Sequence, residues 1–204
     1  MPAIDLKKEL KEFYNPTTKA ISLVDVPAMN FIMLDGQGSP ESQAFKESIE
    51  ALYPIAYTIK FAKKKREGID YPVMSLEGLW WAEDMNEFDP DKGDRNKWKW
   101  TVMIMQPSVV SRVDFESGRE AASKKKPNPL IKSVRLESLK EGPSVQIMHI
   151  GPFAEEGANI IKLHQKIAEL GAQPAGKHHE IYLSDSRRVD PAKMKTVLRQ
   201  PYTK

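Results

Sequence analysis

Apolar residues along this chain switch repeatedly between the two-residue period of a strand and the 3.6-residue period of a helix. Residues 4–14 predict a short helix, and the apolar runs at residues 20–24 and 30–34 predict two strands separated by Pro27. The segment from Asp35 to Gly38 predicts a turn, because its two glycines can adopt backbone conformations that other residues avoid.

A long helix is expected after this turn. Ser39 is its predicted N-cap and Pro40 its first helical residue, an order typical of helix starts. Its apolar positions recur with the helical period and are Phe45, Ile49, Leu52, Tyr53, Ala56 and Tyr57. Pro54 predicts a kink, since proline has no backbone N–H to donate, and Gly68 predicts the end of the helix.

The rest of the chain continues this alternation. The remaining predicted strands are residues 71–83, 97–106, 145–150, 178–183 and 195–200. A polar loop at residues 84–96 joins the first two, and an insertion rich in charge and proline spans residues 108–141. After a Gly151-Pro152 turn, an amphipathic helix is expected to begin at Glu155 and Glu156 and to stop at Gly171.

The predicted elements repeat. Strand, glycine turn, helix, strand, loop and strand occur in residues 30–107 and again in residues 145–201, and Thr-Val with a following Gln-Pro closes both copies. We therefore predict one α+β domain, residues 1–204, with repeat one at about 20–107, the insertion at about 108–141 and repeat two at about 142–204. Two β-α-β-β units related by a pseudo-twofold axis should enclose a central ligand cleft. Glu77 should then lie near the pseudo-symmetric position of Glu180.

Composition narrows the class of protein. The 204 residues contain no cysteine, which excludes disulfides and a thiol nucleophile, and 40% of them are hydrophobic, which is typical of a globular domain. The charged N-terminus and the lack of a long apolar run favour a cytoplasmic protein that does not associate with a membrane. A net charge of +3, with no DNA-reading motif, argues against nucleic-acid binding. The oligomeric state stays open.

The segment His178–Tyr182 carries the most informative chemistry. In a strand, His178, Glu180 and Tyr182 share one face, because side chains alternate between the two faces. A carboxylate between an imidazole and a phenol is suited to proton transfer or to gripping a cationic ligand. The alternative is an edge strand whose polar face is simply hydrated.

Aromatic side chains are expected to line the cleft. Trp80 and Trp81 follow Gly78 on one predicted strand, and Trp100 lies on the next, so that flat indoles could stack on planar or cationic ligands. Tyr53 and Tyr57 lie one helical turn apart. Ordinary core packing remains the alternative for all of these rings.

Other classes of site find little support in the sequence. His149 ends a strand just before Gly151, Pro152 and Phe153, a position that often faces a site. No cysteine cluster or helical His-Glu-x-x-His motif predicts a metal, and Gly36-Gln37-Gly38 alone does not make a dinucleotide-binding loop. We predict neither metal nor cofactor.

Several motifs together resemble those of the GyrI-like small-molecule-binding superfamily. They are residues 34–40, the pair Leu52-Tyr53, and residues 76–81, 148–153 and 178–185. Within the superfamily the chain resembles the stand-alone bacterial branch that includes cyclopropanoid cyclohydrolases. The resemblance implies two SHS2-like β-α-β-β units around a concave cleft. It also implies that Glu180 matches a buried glutamate that meets cationic drugs in related transcription activators, although this chain lacks a DNA-binding domain.

The resemblance further implies a reaction, the hydrolytic opening of the cyclopropane in DNA-alkylating compounds of the yatakemycin and CC-1065 type. Glu180 would activate water, and Tyr182, His149 or a protonated Glu77 would stabilise the developing phenolate oxygen. The residues expected to bind the planar aromatic or cationic ligand are Glu77, Trp80, Trp81, Tyr53, Tyr57, Trp100, Phe153 and His178. The alternatives are a non-catalytic binder or sensor of hydrophobic or cationic drugs, and an interaction protein that modulates gyrase.

Overall fold

A computed structural model describes residues 4–84 and 93–203. Its helices are α1 (Leu6–Glu9), α2 (Lys11–Tyr14), α3 (Gln43–Glu67), α4 (Arg112–Lys125) and α5 (Gly157–Glu169). Its strands are β1 (Ser22–Val26), β2 (Met29–Gln37), β3 (Leu76–Trp81), β4 (Lys99–Gln106), β5 (Arg135–Leu139), β6 (Gly142–Ile150), β7 (Gln173–Pro174), β8 (His178–Tyr182) and β9 (Lys195–Thr203). The predicted loop at residues 84–96 lies partly outside the described residues.

The strands pair antiparallel in the order β1-β6-β9-β8-β3-β4-β2-β5, and β7 adds to β9. This order reads the same from both ends once the two repeats are matched: β3 with β8, β4 with β9, and β2 with β6. The twofold relation therefore passes between β3 and β8. The edge strands cross over, because β1 precedes β2 in the chain but pairs with β6, whereas β5 precedes β6 but pairs with β2.

The two long helices cover the same face of this sheet, which we call the helix face. Phe45 of α3 packs on the rings of Trp80 and Trp100 at centroid distances of 5.2 and 5.1 Å. Leu163 and Ile167 of α5 pack with Leu198 of β9, as the helical period of the sequence requires. Strand pairing puts Leu198 beside Glu180, so α5 and α3 share this face. We call the other side the opposite face.

The register corrects the expected relation between the two glutamates. In the pairing of β3 with β8, Gly78 is directly opposite Glu180, and Glu77 is opposite Ile181. The twofold relation thus matches Gly78 with Glu180, and Glu77 with His179. Because neighbouring residues on a strand point to opposite faces, Glu77 is on the opposite face and Glu180 on the helix face. The sequence analysis had aligned Glu77 with Glu180, which is one residue out of register and therefore placed Glu77 on the wrong face of the sheet.

Local predictions at the start of α3 were also wrong. Asp35, Gly36 and Gln37 continue β2 instead of forming a turn, and only Gly38 has a positive φ, +115°. Gly36 is needed for packing, since a Cβ there would lie 2.0 Å from the Trp100 ring. Ser42, and not Ser39, caps α3 by accepting the backbone N–H of Phe45.

Helix α3 continues past Pro54 and ends at Gly68, as predicted, and Gly68 has φ +70° as a left-handed cap. The insertion at residues 108–141 is folded and belongs to the domain. It contains α4, which packs on α3, and β5, which pairs with β2 at the edge of the sheet. Its charged residues hid the buried Phe115, Ala122 and Leu136 from the sequence pattern.

Candidate functional site

The centre of the helix face is the candidate site. Helix α3 packs on β2 and β4, and α5 packs on β6 and β9, so β3 and β8 are the strands that lie between the two helices. Gly78 and Glu180 occupy the middle of these strands, directly opposite each other. We call the space above them, bounded by α3 and the start of α5, the central cleft.

Glu180 is held by a relay of hydrogen bonds from the neighbouring strand. The indole Nε1 of Trp80 donates to the Tyr182 hydroxyl at 2.8 Å, and this hydroxyl donates to Oε2 of Glu180 at 2.7 Å. Nε2 of His178 lies 3.5 Å from the other carboxylate oxygen, Oε1. The Glu180 side chain keeps 16% of its surface exposed, so it is oriented by the protein and still reachable from the cleft.

Gly78 makes room for this relay. A Cβ at residue 78 would lie 2.8 Å from Nε1 of Trp80 and 2.9 Å from the Tyr182 hydroxyl oxygen. Both distances are shorter than real Cβ contacts allow, so a larger residue would displace the two donors that position Glu180. The sequence pointed to Gly78 as an opening beside the tryptophans, and its role in the structure is to admit the side chains of the relay.

Tyr182 stays a proton donor to Glu180. Burial, and then the adjacent charge of Glu180, raise the pKa of the Tyr182 hydroxyl well above its usual range. A neutral phenol that donates to Oε2 fixes the carboxylate without neutralising it. The edge of Phe153 packs against the Tyr182 ring at 5.7 Å and closes one side of the cleft.

A second carboxyl, Glu156, belongs to the same site. It is the N-cap residue of α5 and is only 4% exposed. Burial, and then repulsion from Glu180, raise its pKa to about 9, so Glu156 is a neutral acid at pH 7. The sequence analysis treated it only as an acidic residue in a first helical turn. No residue pattern around Glu156 signals its burial, which results from the packing of the turn before α5 on the sheet.

His149 does not have the predicted catalytic geometry. Its ring contacts the carbonyl oxygen of Pro152 through Nε2 at 3.2 Å and the side-chain amide of Asn159 through Nδ1 at 3.1 Å. Both ring nitrogens are therefore engaged in fastening the turn between β6 and α5. The sequence correctly predicted that His149 lies near the end of a strand, but it did not reveal the contacts with Pro152 and Asn159.

The three tryptophans expected in the cleft lie in different places: Trp100 in the core, Trp80 in the relay and Trp81 on the opposite face. Trp100 is 1% exposed and Trp80 is 3% exposed, so neither offers a flat ring face to a ligand. Trp81 points to the opposite face, where the ammonium of Lys177 lies 3.2 Å from its ring centroid. Trp81 and Lys177 line a cavity of about 390 Å³ together with Asp35, Gly36, Gln37, Lys99 and Arg135. Of the three tryptophans expected to bind a ligand, Trp80 and Trp100 are therefore buried, and Trp81 faces this cavity and not the central cleft.

Tyrosines of α3 lie at the margin of the cleft. Tyr53 is half-buried, and Tyr57 and Phe61 continue from it as a ladder of stacked rings with centroid distances of 6.4 and 6.1 Å. Burial, and then Tyr57, raise the pKa of Tyr53. Tyr53 lies near the backbone of Leu76 and so borders the floor of the cleft, whereas Tyr57 is 46% exposed.

Glu77 takes part in a different structure, a buried charge network on the opposite face. Its Oε2 lies 2.9 Å from Nε2 of His179, and its Oε1 accepts the Tyr14 hydroxyl at 2.7 Å. Nδ1 of His179 lies 2.9 Å from Glu141, which also accepts a hydrogen bond from Arg199 at 2.7 Å. Two carboxylates and two cations thus balance each other, which is how buried charges are tolerated.

The charges of this network depend on one another. Burial alone would lower the pKa of His179, but Glu141 and Glu77 raise it to about 9. Burial would raise the pKa of Glu141, but His179 and Arg199 lower it to about 2. Arg199 also donates to the backbone carbonyl of Phe13 at 2.7 Å. The network therefore pins the N-terminal helices under the central strands and leaves Glu77 with a structural role.

Metal binding and membrane insertion find no support in the part of the chain described. Within residues 4–84 and 93–203, no group of three or more His, Cys, Asp or Glu side chains could hold a metal ion. Over the same residues, each helix is too short or too polar to cross a membrane.

Fold and site together define an α+β small-molecule-binding domain built from two symmetry-related halves. The sequence profile of the GyrI-like small molecule binding domain matches residues 19–202. This chain therefore belongs to the GyrI-like family. No protein of curated function matches its sequence.

Solved structures of similar proteins agree with this assignment. An uncharacterized conserved protein from Listeria innocua is 42% identical, with a TM-score of 0.89 over 98% of this chain and 100% of that one. A hydrolase encoded by lin2189 from Listeria innocua is 41% identical, with a TM-score of 0.88 over 99% of this chain and 100% of that one. The EcmrR C-terminal domain shares the fold at 14% identity and a TM-score of 0.54, over 91% of this chain and 98% of that domain.

Proposed function

We propose that this protein is a hydrolase that opens the cyclopropane ring of planar aromatic alkylating compounds of the yatakemycin and CC-1065 type, and so detoxifies them. The observation that carries the proposal is the Glu180 carboxylate, fixed by Tyr182 in the middle of the helix face and still exposed to the cleft. Two Listeria innocua proteins that are 39% and 41% identical to this chain are described as hydrolases, which supports a hydrolytic reaction.

The reaction consists of the addition of one water molecule. The water oxygen bonds to the cyclopropane CH₂ carbon, and the bond from that carbon to the ring breaks. Its electron pair moves through the conjugated ring to the carbonyl oxygen, which becomes a phenol after it gains a proton. Release of ring strain and formation of an aromatic ring favour the product, so the protein has only to orient water and manage two protons.

Glu180 is suited to receive the proton of the attacking water. Oε2 accepts the Tyr182 hydroxyl at 2.7 Å, and Oε1 lies 3.5 Å from His178 Nε2. Water would thus meet Oε1. Tyr182 and Trp80 act as positioning residues in this proposal, since they hold the carboxylate without reaching the substrate themselves.

Aromatic side chains at the cleft margins fit a flat substrate. Tyr53 on α3 lies near Leu76 of β3, and Phe153 before α5 packs on Tyr182 of β8, and stacking on such rings favours planar molecules. The same arrangement of a carboxylate between rings suits an organic cation. A non-catalytic binder of cationic or hydrophobic compounds is therefore the second candidate.

The decisive experiment mixes purified protein with a yatakemycin-type compound and follows ring opening by mass spectrometry. Under the hydrolase proposal, Glu180→Gln should lower turnover about 10²-fold or more and leave the protein folded, because it removes the base and keeps the shape. The control is Glu169→Gln, a change at an exposed carboxylate on the last turn of α5 that should leave turnover unchanged.

The two candidate functions give different results in this assay. Stoichiometric retention of the compound without conversion would contradict the hydrolase and leave the binder. In that case Glu180→Gln should weaken the binding of cationic ligands and spare neutral ones. Unaltered turnover together with unaltered affinity in Glu180→Gln would reject both roles for the carboxylate.

A further inference from the structure

The proposed hydrolysis needs a proton donor as well as a base, and the three donors expected from the sequence are not available. The Tyr182 hydroxyl already donates to Glu180. Both ring nitrogens of His149 are engaged with Pro152 and Asn159. Glu77 lies on the opposite face of the sheet, bonded to His179 and Tyr14. The phenolate oxygen that forms in the reaction would therefore need another acid.

Glu156 is placed to be that acid. Its side chain is buried at the start of α5, and its Oε1 has no hydrogen-bond partner among the described residues. An ionised carboxylate in such a place would lose the hydration that stabilises its charge, so the neutral, protonated form is favoured. A buried carboxyl that lacks a protein partner on one oxygen retains the capacity to bond to a ligand.

The groups around Glu156 on β8 and β9 determine its protonation. From β8 it faces Glu180, whose charge repels its own ionised form, and also the Tyr182 hydroxyl. From β9 it faces the buried Thr196, whose hydroxyl favours ionisation slightly. Strand pairing places Thr196 between Tyr182 and His149, so Glu156 is above the same row of side chains as the relay.

The dipole of α5 acts in the opposite direction, because a helix N-terminus favours an ionised carboxylate. Burial and Glu180 raise the pKa of Glu156 from 4.5 to about 9. The dipole is too weak to reverse a change of that size, so Glu156 stays protonated.

We infer that Glu156 is the proton donor of the cleft and works with Glu180 as an acid–base pair. As water attacks and the cyclopropane bond breaks, Glu180 takes a proton from the water and Glu156 gives its proton to the carbonyl oxygen of the substrate. The products are a phenol and an alcohol, with Glu156 ionised and Glu180 protonated. Transfer of that proton from Glu180 to Glu156 restores the starting state. This inference rests on the proposed function, because it supplies the second proton transfer of the same reaction.

The test measures kcat and KM for a yatakemycin-type compound between about pH 6 and about pH 10. Wild-type kcat should fall above about pH 9, where Glu156 loses its proton. Glu156→Gln should lower kcat about 10²-fold, leave KM within about twofold, and abolish the alkaline fall. The control Glu155→Gln changes the neighbouring, exposed carboxyl and should behave as the wild type.

A purely structural Glu156 would give another pattern. If Glu156→Gln kept wild-type kcat and the same alkaline fall, the inference would be overturned, while the loss of turnover in Glu180→Gln would still support the proposed function. If the wild type did not turn the compound over, the proposed function would fail and the acid would have no reaction.

An infrared measurement on the unliganded protein tests the acid without any substrate. At neutral pH a protonated carboxyl should give a carbonyl band that is present in the wild type and in Glu155→Gln but missing from Glu156→Gln. A wild-type protein without this band would rule out Glu156 as the neutral member of the pair.

Discussion

Gly78 is directly opposite Glu180 at the centre of the sheet, and a side chain at residue 78 would occupy the space of the groups that hold the Glu180 carboxylate. The proposed chemistry of Glu180 therefore depends on the absence of a side chain at Gly78. This absence also explains why Trp80 and Tyr182, which are matched by the twofold relation, can meet across the strand pair at 2.8 Å.

The first prediction concerns Gly78→Ala. The added methyl would lie 2.8 Å from Trp80 Nε1 and 2.9 Å from the Tyr182 hydroxyl, so the relay must shift. We expect a loss of about 1–3 kcal/mol of stability from overpacking and at least a tenfold loss of ligand affinity or turnover. Chemical denaturation and ligand titration measure the two effects.

The matched control is Gly157→Ala, because a Cβ at Gly157 meets nothing within 4 Å. Alanine inside a helix is better than glycine by up to about 1 kcal/mol, so this variant should be as stable as the wild type or slightly more stable. An equal loss in both variants would show that the relay does not need the space at Gly78.

The second prediction separates the two faces of the sheet. Tyr53→Ala should weaken the binding of a planar ligand by about tenfold, because Tyr53 borders the central cleft. Trp81→Ala should leave this affinity unchanged, since Trp81 contacts Lys177 on the opposite face. Fluorescence or calorimetric titration decides between the faces. Weaker binding in Trp81→Ala alone would move the ligand to the cavity beside Lys177.

The third prediction concerns the buried charge network. His179→Gln removes the cation between Glu77 and Glu141 and leaves two buried carboxylates with less compensation. We expect a loss of about 3–5 kcal/mol in the free energy of unfolding, measured in urea. The exposed ion pair of Lys124 with Glu120 is the comparison, and Lys124→Ala should change stability by less than about 0.5 kcal/mol.

The fourth prediction is the dependence of stability on pH. His179 and Glu156 both hold a proton in the folded state up to about pH 9, whereas their unfolded pKa values are near 6.5 and 4.5. The folded state therefore binds more protons than the unfolded state in these ranges. Stability should decline as pH rises from about 4.5 to about 9.

Glu141 acts in the other direction, because its pKa is lowered to about 2 from 4.5 and its contribution is lost as pH falls through that range. The maximum of stability should thus lie at mildly acidic pH, near about 4.5. Thermal melts on both sides of this pH measure it, and Glu156→Gln should flatten the alkaline decline. Greater stability at pH 9 than at pH 5.5 would contradict the assigned protonation states.

The sequence was sufficient for the broad architecture and for the strand face that carries Glu180. Hydrophobic periodicity predicted the order of the long elements, and alternation along β8 correctly placed His178, Glu180 and Tyr182 on one face. What periodicity cannot provide is the register between strands distant in sequence. A shift of one residue between the repeats was enough to assign Glu77 to the cleft instead of the buried network.

Glu156 and His149 illustrate a second limit. Their roles depend on how closely the turn before α5 approaches the sheet, and this distance is set by packing among Phe153, Tyr182 and Thr196. A sequence pattern records residue types but not such a separation. Likewise, the indoles of Trp80 and Trp100 looked suited to stacking on ligands until the structure showed Phe45 covering both.

The exchange of edge strands between the two halves has a consequence for the residues at the centre of the sheet. Each half completes its sheet with a strand borrowed from the other, as two separate subunits do when they swap arms. A homodimer made only of second halves would bring two copies of Glu180 face to face across the axis, and their like charges would repel. A single polypeptide that contains both halves can instead carry different residues at the two matched positions, Glu180 in one half and Gly78 in the other.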